Sequence, residues 1–254
     1  MIQMIASDLD GTLLKKDWSI SNYNVDTIKA AREKGIRWIT VTGRSFGGAH
    51  PLLEQYGIEC DYVLMNGAEF RTADGKIIFS ESMDSEQAQA VCKKLKKEQL
   101  DFEINTDHGD YATQREMQYT NYLENGFEQL FENDYKMRKI LCFCDDIPKL
   151  DRIKREIQEE FGLSVLSSFD TNMEVTAPLA KKGIMLKRVA EYYHLKPEEL
   201  VVFGDGGNDI SMFQCFPVSF AMKNGVEELK KIAAHITKYT NEEDGVGRTV
   251  AELL

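Results

Sequence analysis

Basic charge is what this 254-residue chain is short of: 31 Lys and Arg stand against 42 Asp and Glu, for a net charge of −11. So acidic a surface repels nucleic acid and anionic membranes, and neither is an expected partner. An anionic substrate would need a local positive pocket inside that field. Long apolar runs are also missing. No stretch approaches the roughly 20 residues of a membrane span, and the first residues carry no signal-peptide pattern. Cysteine is sparse and odd in number: Cys60, Cys92, Cys142, Cys144 and Cys215 contain no CxxC pair. Cys142 and Cys144 are expected to share one face of a strand as small core residues. A reduced, cytoplasmic protein is the expectation. The four histidines, His50, His108, His194 and His235, are scattered, which leaves no cluster for a softer metal. Otherwise the composition is that of an ordinary globular protein, 43% hydrophobic and 29% charged, long enough for two domains.

Apolar runs ending in turn residues organise the chain. "IASDLDGTLL" (5–14) reads as a buried strand closed at Gly11. A helix follows over "SNYNVDTIKAAREKG", stopped at Gly35, then a strand ending in Thr42-Gly43-Arg44, a short helix and a third strand, "CDYVLMNGA". This rhythm predicts right-handed βαβ units and a parallel sheet. "EFRTADGKIIFS" reads as a hairpin around Asp74-Gly75. From Met83 the pattern changes to amphipathic helices ("SEQAQAVCKKLKKE", "PKLDRIKREIQEEFG") and strands ("LDFEINT", "MRKILCFC", "LSVLSSF", "NMEVTA"). The lysines at 93–97 read as a solvated helix face. The βα rhythm resumes at Lys182 and continues through "LVVFGDGG" and "VSFAM". Between Thr42 and Lys182 lies far more chain than the dozen or so residues a crossover needs. The prediction is an α/β fold: a doubly wound parallel-sheet core (1–82 and 181–254) with an inserted α/β domain (83–180). Ligands bind such sheets at the carboxyl ends of the strands, where Asp8, Thr42 and Asp205 are expected.

Read alone, DLDGT fits a solvated strand-to-helix turn, and GDGGND a turn with a helix cap. Together they place two acidic clusters at two strand ends of one sheet, where they can share a divalent cation. Mg²⁺ suits them, because it takes hard oxygen ligands and keeps several waters. Asp8 can then attack phosphorus and form an aspartyl-phosphate. Asp10 beside it, its pKa raised by like-charge repulsion, can protonate the leaving oxygen and later deprotonate water. Thr42 and the Gly43 amide can bind one phosphoryl oxygen, and Lys182 another. Alone, Thr42 would be a helix cap and Lys182 a surface lysine; their positions at the two borders of the insertion give them weight.

DLDGT (8–12), VTGR (41–44), KKGIML (181–186) and GDGGND (204–209), in that order, resemble the four motifs of the haloacid dehalogenase superfamily. "NGA" (66–68) and "FAMKNGVEELKKIAAHITKYTNEEDGV" (220–246) are similar to its Cof-type (subfamily IIB) phosphatases, whose cap lies between the second and third motifs. Lys223, Gly225 and Gly207 depart from common family choices without removing a chemical group. The resemblance implies a Rossmann-like core with a cap that sets specificity. It makes Asp8 and Asp10 catalytic and puts Asp8, Asp10 (through its carbonyl), Asp205 and Asp209 at the Mg²⁺. Leu9, Thr42, Gly43, Arg44, Lys182 and Asn208 would contact phosphate or substrate.

The expected function is a Mg²⁺-dependent phosphatase of a small phosphorylated metabolite, of sugar-phosphate type, in a monomer or weak homodimer. In the cap, Asn105, Asp107, His108, Tyr111 and Arg115 of "EINTDHGDYATQRE" (103–116) are candidates for reading hydroxyls. A phosphomannomutase-like phosphomutase is the nearest alternative, with Arg115, Arg138, Arg152 and Arg155 as candidates for a second phosphate. A non-catalytic phosphate-ligand sensor is the alternative from another class.

Overall fold

The computed structural model describes residues 1–115 and 120–254. They form two compact units, Met1–Phe79 with Lys181–Leu254, and Ser80–Ala180. The first begins with β1 (Met4–Ser7), α1 (Asn22–Glu33), β2 (Arg37–Val41), α2 (Phe46–Glu54), β3 (Asp61–Leu64), β4 (Glu69–Arg71) and β5 (Ile77–Ser80). The second holds α3 (Ser85–Lys97), β6 (Phe102–Thr106), β7 (Gly109–Ala112), β8 (Asn121–Tyr122), α4 (Glu128–Glu132), β9 (Met137–Phe143), α5 (Ile147–Phe161), β10 (Ser164–Leu166) and β11 (Asn172–Thr176). The first unit then resumes with α6 (Lys182–Tyr192), β12 (Leu200–Gly204), α7 (Ile210–Cys215), β13 (Val218–Ala221), α8 (Glu227–Ile232), β14 (His235–Ile236) and α9 (Gly245–Leu253).

In the first unit the strand order is β14-β13-β12-β1-β2-β3-β4-β5. Pairing is parallel from β14 through β3, and β4 runs antiparallel to β3. Every residue of β1 and β12 is buried, as a parallel strand covered on both faces requires. Met4, Ala6, Ile39, Val41 and Val202 form one apolar cluster with Met185, Leu186 and Val189 of α6 and Met212 of α7. The chain leaves β1 towards β2 and returns at β12 on the other side of β1. That reversal is a topological switch point, and it opens a crevice at the carboxyl ends of β1 and β12. The α/β fold with a doubly wound parallel core is therefore the one the sequence predicts.

The second unit has its own sheet, ordered β10-β11-β9-β6-β7-β8, antiparallel except for the β7–β8 pair. Its longest helix, α5, starts where the Asp146 side chain accepts the Lys149 N–H and Pro148 occupies the first turn. Leu150, Ile153 and Ile157 make its buried stripe. The lysine run of α3 is a solvated face: Lys94 pairs with Glu156 and Glu160, and Lys96 with Glu128. One expectation is corrected. Cys142 is buried, but Cys144 falls just beyond β9, half-buried, with its thiol on the Asp146 carbonyl. β8, α4 and β14 are too short to show a period, and α9 opens on Gly-Val-Gly, which hides its first turn. No helix among the described residues is long and apolar enough to cross a membrane.

Because Ile153 is fully buried while its neighbour Arg152 pairs at the surface with Glu98 and Glu156, the two positions should respond very differently. Ile153→Ala should cost about 2–5 kcal/mol in urea denaturation, and Arg152→Ala should leave stability nearly unchanged. Equal losses would mean α5 is rotated from the face assigned to it.

Candidate active site

The loop after β1 is wound tightly around one carbonyl. Leu9 C=O accepts the amides of Thr12, Leu13 and Leu14, while its side chain is fully buried. Gly11 takes φ +79°, and a Cβ there would lie 2.3 Å from Asp205 Oδ2, so only glycine lets the two acidic loops approach. Thr12 Oγ1 donates to Asp205 Oδ1 at 2.8 Å, and Asn224 Nδ2 donates to the Gly11 carbonyl at 2.7 Å. Neither Thr12 nor Asn224 stands out in the sequence as a site residue, although Thr12 is the last residue of DLDGT.

Lys182, at the start of α6, is fully buried. Its ammonium donates to Asp8 Oδ1 at 2.8 Å and to Asp209 Oδ1 at 2.7 Å. The other Asp209 oxygen accepts the amides of Asp205 and Gly206, at 2.9 and 3.0 Å. Asp209 thus ties the cation to the loop that presents Asp205. Ligand atoms of Asp8, Asp205 and Asp209 lie within 4.8 Å of one another. Three carboxylates face one ammonium, an excess of two negative charges built entirely from hard oxygen donors. That excess and donor set fit a divalent cation.

The electrostatics agree. Burial pushes the Asp205 carboxyl up to about 6, helped by the Asp209 charge and opposed by the Thr12 hydroxyl and Lys182. Burial also raises Asp8, against the pull of Lys182 and with Asp209, Asp205 and Asp10 adding to the rise. For Lys182 burial acts downward, but Asp209 and Asp8 outweigh it and hold the ammonium above its ordinary range.

Asp10 is outside this cluster. Arg44 grips its carboxylate with two hydrogen bonds, Nε to Oδ2 at 2.9 Å and Nη2 to Oδ1 at 2.7 Å. Arg44, expected on the substrate, therefore spends its fork on Asp10, and its guanidinium also lies over the Trp18 ring. Thr42, fully buried after β2, receives the Arg44 amide on its hydroxyl, and Gly43 lies between them. Asn208 donates from Nδ2 to Asn66 Oδ1 at 3.2 Å.

In the second unit, Asn105 Nδ2 donates to Glu103 and Asp110. Asp107 accepts the Lys136 amide and touches His108, whose ring stacks on Tyr135; Tyr111 lies near the same ring. Arg115 pairs with Glu124 and covers Tyr122; Glu116, the end of that stretch, lies outside the described residues. Arg138 donates to Ser82, Arg152 pairs with Glu98 and Glu156, and Arg155 reaches the Asp151 carbonyl. The sequence reading missed a polar row across the sheet, where Asn105 and Thr176 both stand opposite Lys139, and Lys139 pairs with Glu174. The alternation in "DFEINT" and "NMEVTA" marks a polar face on each strand, but only the strand order brings the two faces to Lys139.

A buried lysine, two neighbouring aspartates and a second acidic loop thus meet at the carboxyl ends of β1 and β12. The family model described as haloacid dehalogenase-like hydrolase matches residues 5–250, and the chain belongs to that family. It is 28% identical to the 5-amino-6-(5-phospho-D-ribitylamino)uracil phosphatase YwtE of Bacillus subtilis (strain 168), over all of this chain and 98% of that protein. To phosphatase YwpJ of the same organism it is 29% identical, over the whole of both. The solved structure of a haloacid dehalogenase-like hydrolase from B. subtilis matches with a TM-score of 0.92 and 28% identity, over the whole of both chains. The protein is a phosphoric monoester hydrolase.

Asp205 and Asp8 hold their protons more tightly folded than at their ordinary 3.8, so without a divalent cation the chain should lose stability as pH rises from about 4 through about 6 and further as Asp8 ionises. The Lys182 shift acts only above its ordinary 10.5, outside that window. A divalent cation such as Mg²⁺ should therefore raise the melting temperature more near pH 7.5 than near pH 5. Thermal unfolding with and without Mg²⁺ checks this; equal shifts at both pH values would contradict it.

Proposed function

We propose that this phosphatase is Mg²⁺-dependent, acts on a small phosphorylated metabolite of sugar-phosphate type, and works through an aspartyl-phosphate on Asp8. The observation that carries the reading is Asp8 held by buried Lys182 beside Asp205, with Asp10 on the same loop gripped by Arg44. Asp8 and Asp205, with the Asp10 carbonyl, would hold Mg²⁺; Asp209 would support it while engaged with Lys182 and the loop amides. Bound there, Mg²⁺ would offset the carboxylate excess and the charge on the phosphoryl oxygens.

Asp8 attacks phosphorus while Asp10 gives its proton to the leaving oxygen. Asp10 then takes a proton from the water that cleaves the aspartyl-phosphate. Lys182 keeps Asp8 aimed and presents positive charge to the phosphoryl group, with Thr42, the Gly43 amide and Asn208 as further donors and the Leu9 backbone shaping the loop. Arg44 acts through Asp10 by fixing its carboxylate.

Residues 83–180 are read as a cap that chooses the substrate, through Asn105 and the polar row around Lys139. Relatives named for a phosphoribitylaminouracil and, in Klebsiella pneumoniae (strain 342), for HMP-PP support small phosphorylated substrates of differing leaving group. Hydrolysis is preferred to phosphomutase chemistry. Arg115, Arg138, Arg152 and Arg155 are each engaged with their own unit, and the matched relatives carry phosphatase names. A sensor role is disfavoured because both aspartates are present. The five free cysteines support a reducing, cytoplasmic location.

Asp8→Asn should reduce p-nitrophenyl phosphate turnover to background with the fold intact, and Asp10→Asn should slow it roughly 10²–10⁴-fold. Near-parental turnover by Asp8→Asn would refute the covalent route. Phosphate release from a panel of phosphorylated metabolites would identify the substrate; preference for one without hydroxyls would overturn the sugar-phosphate assignment.

A further inference from the structure

The turn after β3 runs left-handed at three successive positions, with strain at Met65 and Asn66. Met65, Asn66 and Gly67 have φ of 50°, 57° and 102°, in the left-handed region that side chains rarely adopt. Such strain persists only where the surroundings impose it, and here they are the phosphate-handling segments. The Met65 amide donates to the Arg44 carbonyl at 3.0 Å, and the Asn66 amide to the Thr42 carbonyl at 3.1 Å. A Cβ on Gly67 would stand 2.4 Å from the Lys181 carbonyl oxygen, so the turn also lies directly against the residue preceding Lys182. The Asn66 side chain, only 1% exposed, completes the set by accepting from Asn208 Nδ2. One turn thus touches the chain at Thr42, Arg44, Lys181 and Asn208.

We infer that Asn66 is a positioning residue that holds the Asn208 side chain in place for the phosphoryl group. The inference rests on Asn208 serving as a phosphate donor in the proposed function. A phosphoryl oxygen only accepts, whereas an asparagine amide offers N–H from one end and a carbonyl from the other. If Asn208 flips, it presents its carbonyl to an anion. Asn66 Oδ1 accepts one N–H of the Asn208 amide nitrogen, which ties the Asn208 side chain to the turn and leaves its second N–H for substrate. Asparagine suits the position twice over, because it tolerates left-handed backbone better than most residues and carries the acceptor.

The test is a double-mutant cycle with Asn66→Gly and Asn208→Ala, using p-nitrophenyl phosphate as substrate and inorganic phosphate as inhibitor. Glycine accepts the left-handed turn, so Asn66→Gly should keep the parental melting temperature within a few degrees. Its kcat/KM should fall about three- to tenfold, the effect of one hydrogen bond, and inorganic phosphate should inhibit it more weakly. Combined with Asn208→Ala, it should add nothing to the loss caused by Asn208→Ala alone. Asn66→Ala should show the same kinetic loss together with a lower melting temperature, because alanine also resists the turn. Unchanged kcat/KM in Asn66→Gly, or losses that simply add in the double variant, would overturn the inference. Turnover surviving in Asp8→Asn would instead strike at the proposed function, so the two failures can be told apart.

Discussion

A single buried cation organises this site. Lys182 has no exposed surface, and it bonds at once to Asp8 from the loop after β1 and to Asp209 from the loop after β12. Removing one partner from such a buried ionic group costs about 3–5 kcal/mol, because the remaining charges are stranded away from water. Lys182 therefore couples the nucleophile to the second acidic loop. Asp209 passes that restraint on through the amides of Asp205 and Gly206, while Thr12 bonds Asp205 from the first loop. The two loops hold each other from both sides of the switch point.

The arrangement leaves a useful imbalance. One ammonium does not neutralise three carboxylates, and burial together with the Asp209 charge raises Asp205. Asp10 escapes the competition because Arg44 takes its carboxylate in a two-point grip. Two aspartates two residues apart thus sit in separate environments: Asp8 faces a lysine in the interior, and Asp10 faces an arginine at the rim. Neighbouring carboxylates can take different chemical parts when their partners differ.

Much of this was legible in the sequence for one physical reason. Parallel strands covered on both faces are short, mostly apolar runs, so the turn residues that close each run mark a carboxyl end. Asp8, Thr42 and Asp205 could be placed that way before any geometry was known. What the sequence could not show were relations across the chain. Nothing in VTGR says that its arginine turns back to Asp10, and nothing in NGA announces three left-handed residues against Thr42 and Lys181. The position of Lys182 at the border of the insertion marked it for phosphate, but only the fold reveals its burial. In the second unit, the polar residues of β6 and β11 alternate visibly, but their convergence on Lys139 depends on strand order.

The central claim is that phosphate passes through Asp8. Intact-protein mass spectrometry on the Asp10→Asn variant, quenched in acid during turnover of a phosphate ester, addresses it most directly. The account predicts a species heavier by one phosphoryl group, with the modification mapping to Asp8 after digestion. An unmodified Asp8 under conditions where phosphate is still being released would contradict it.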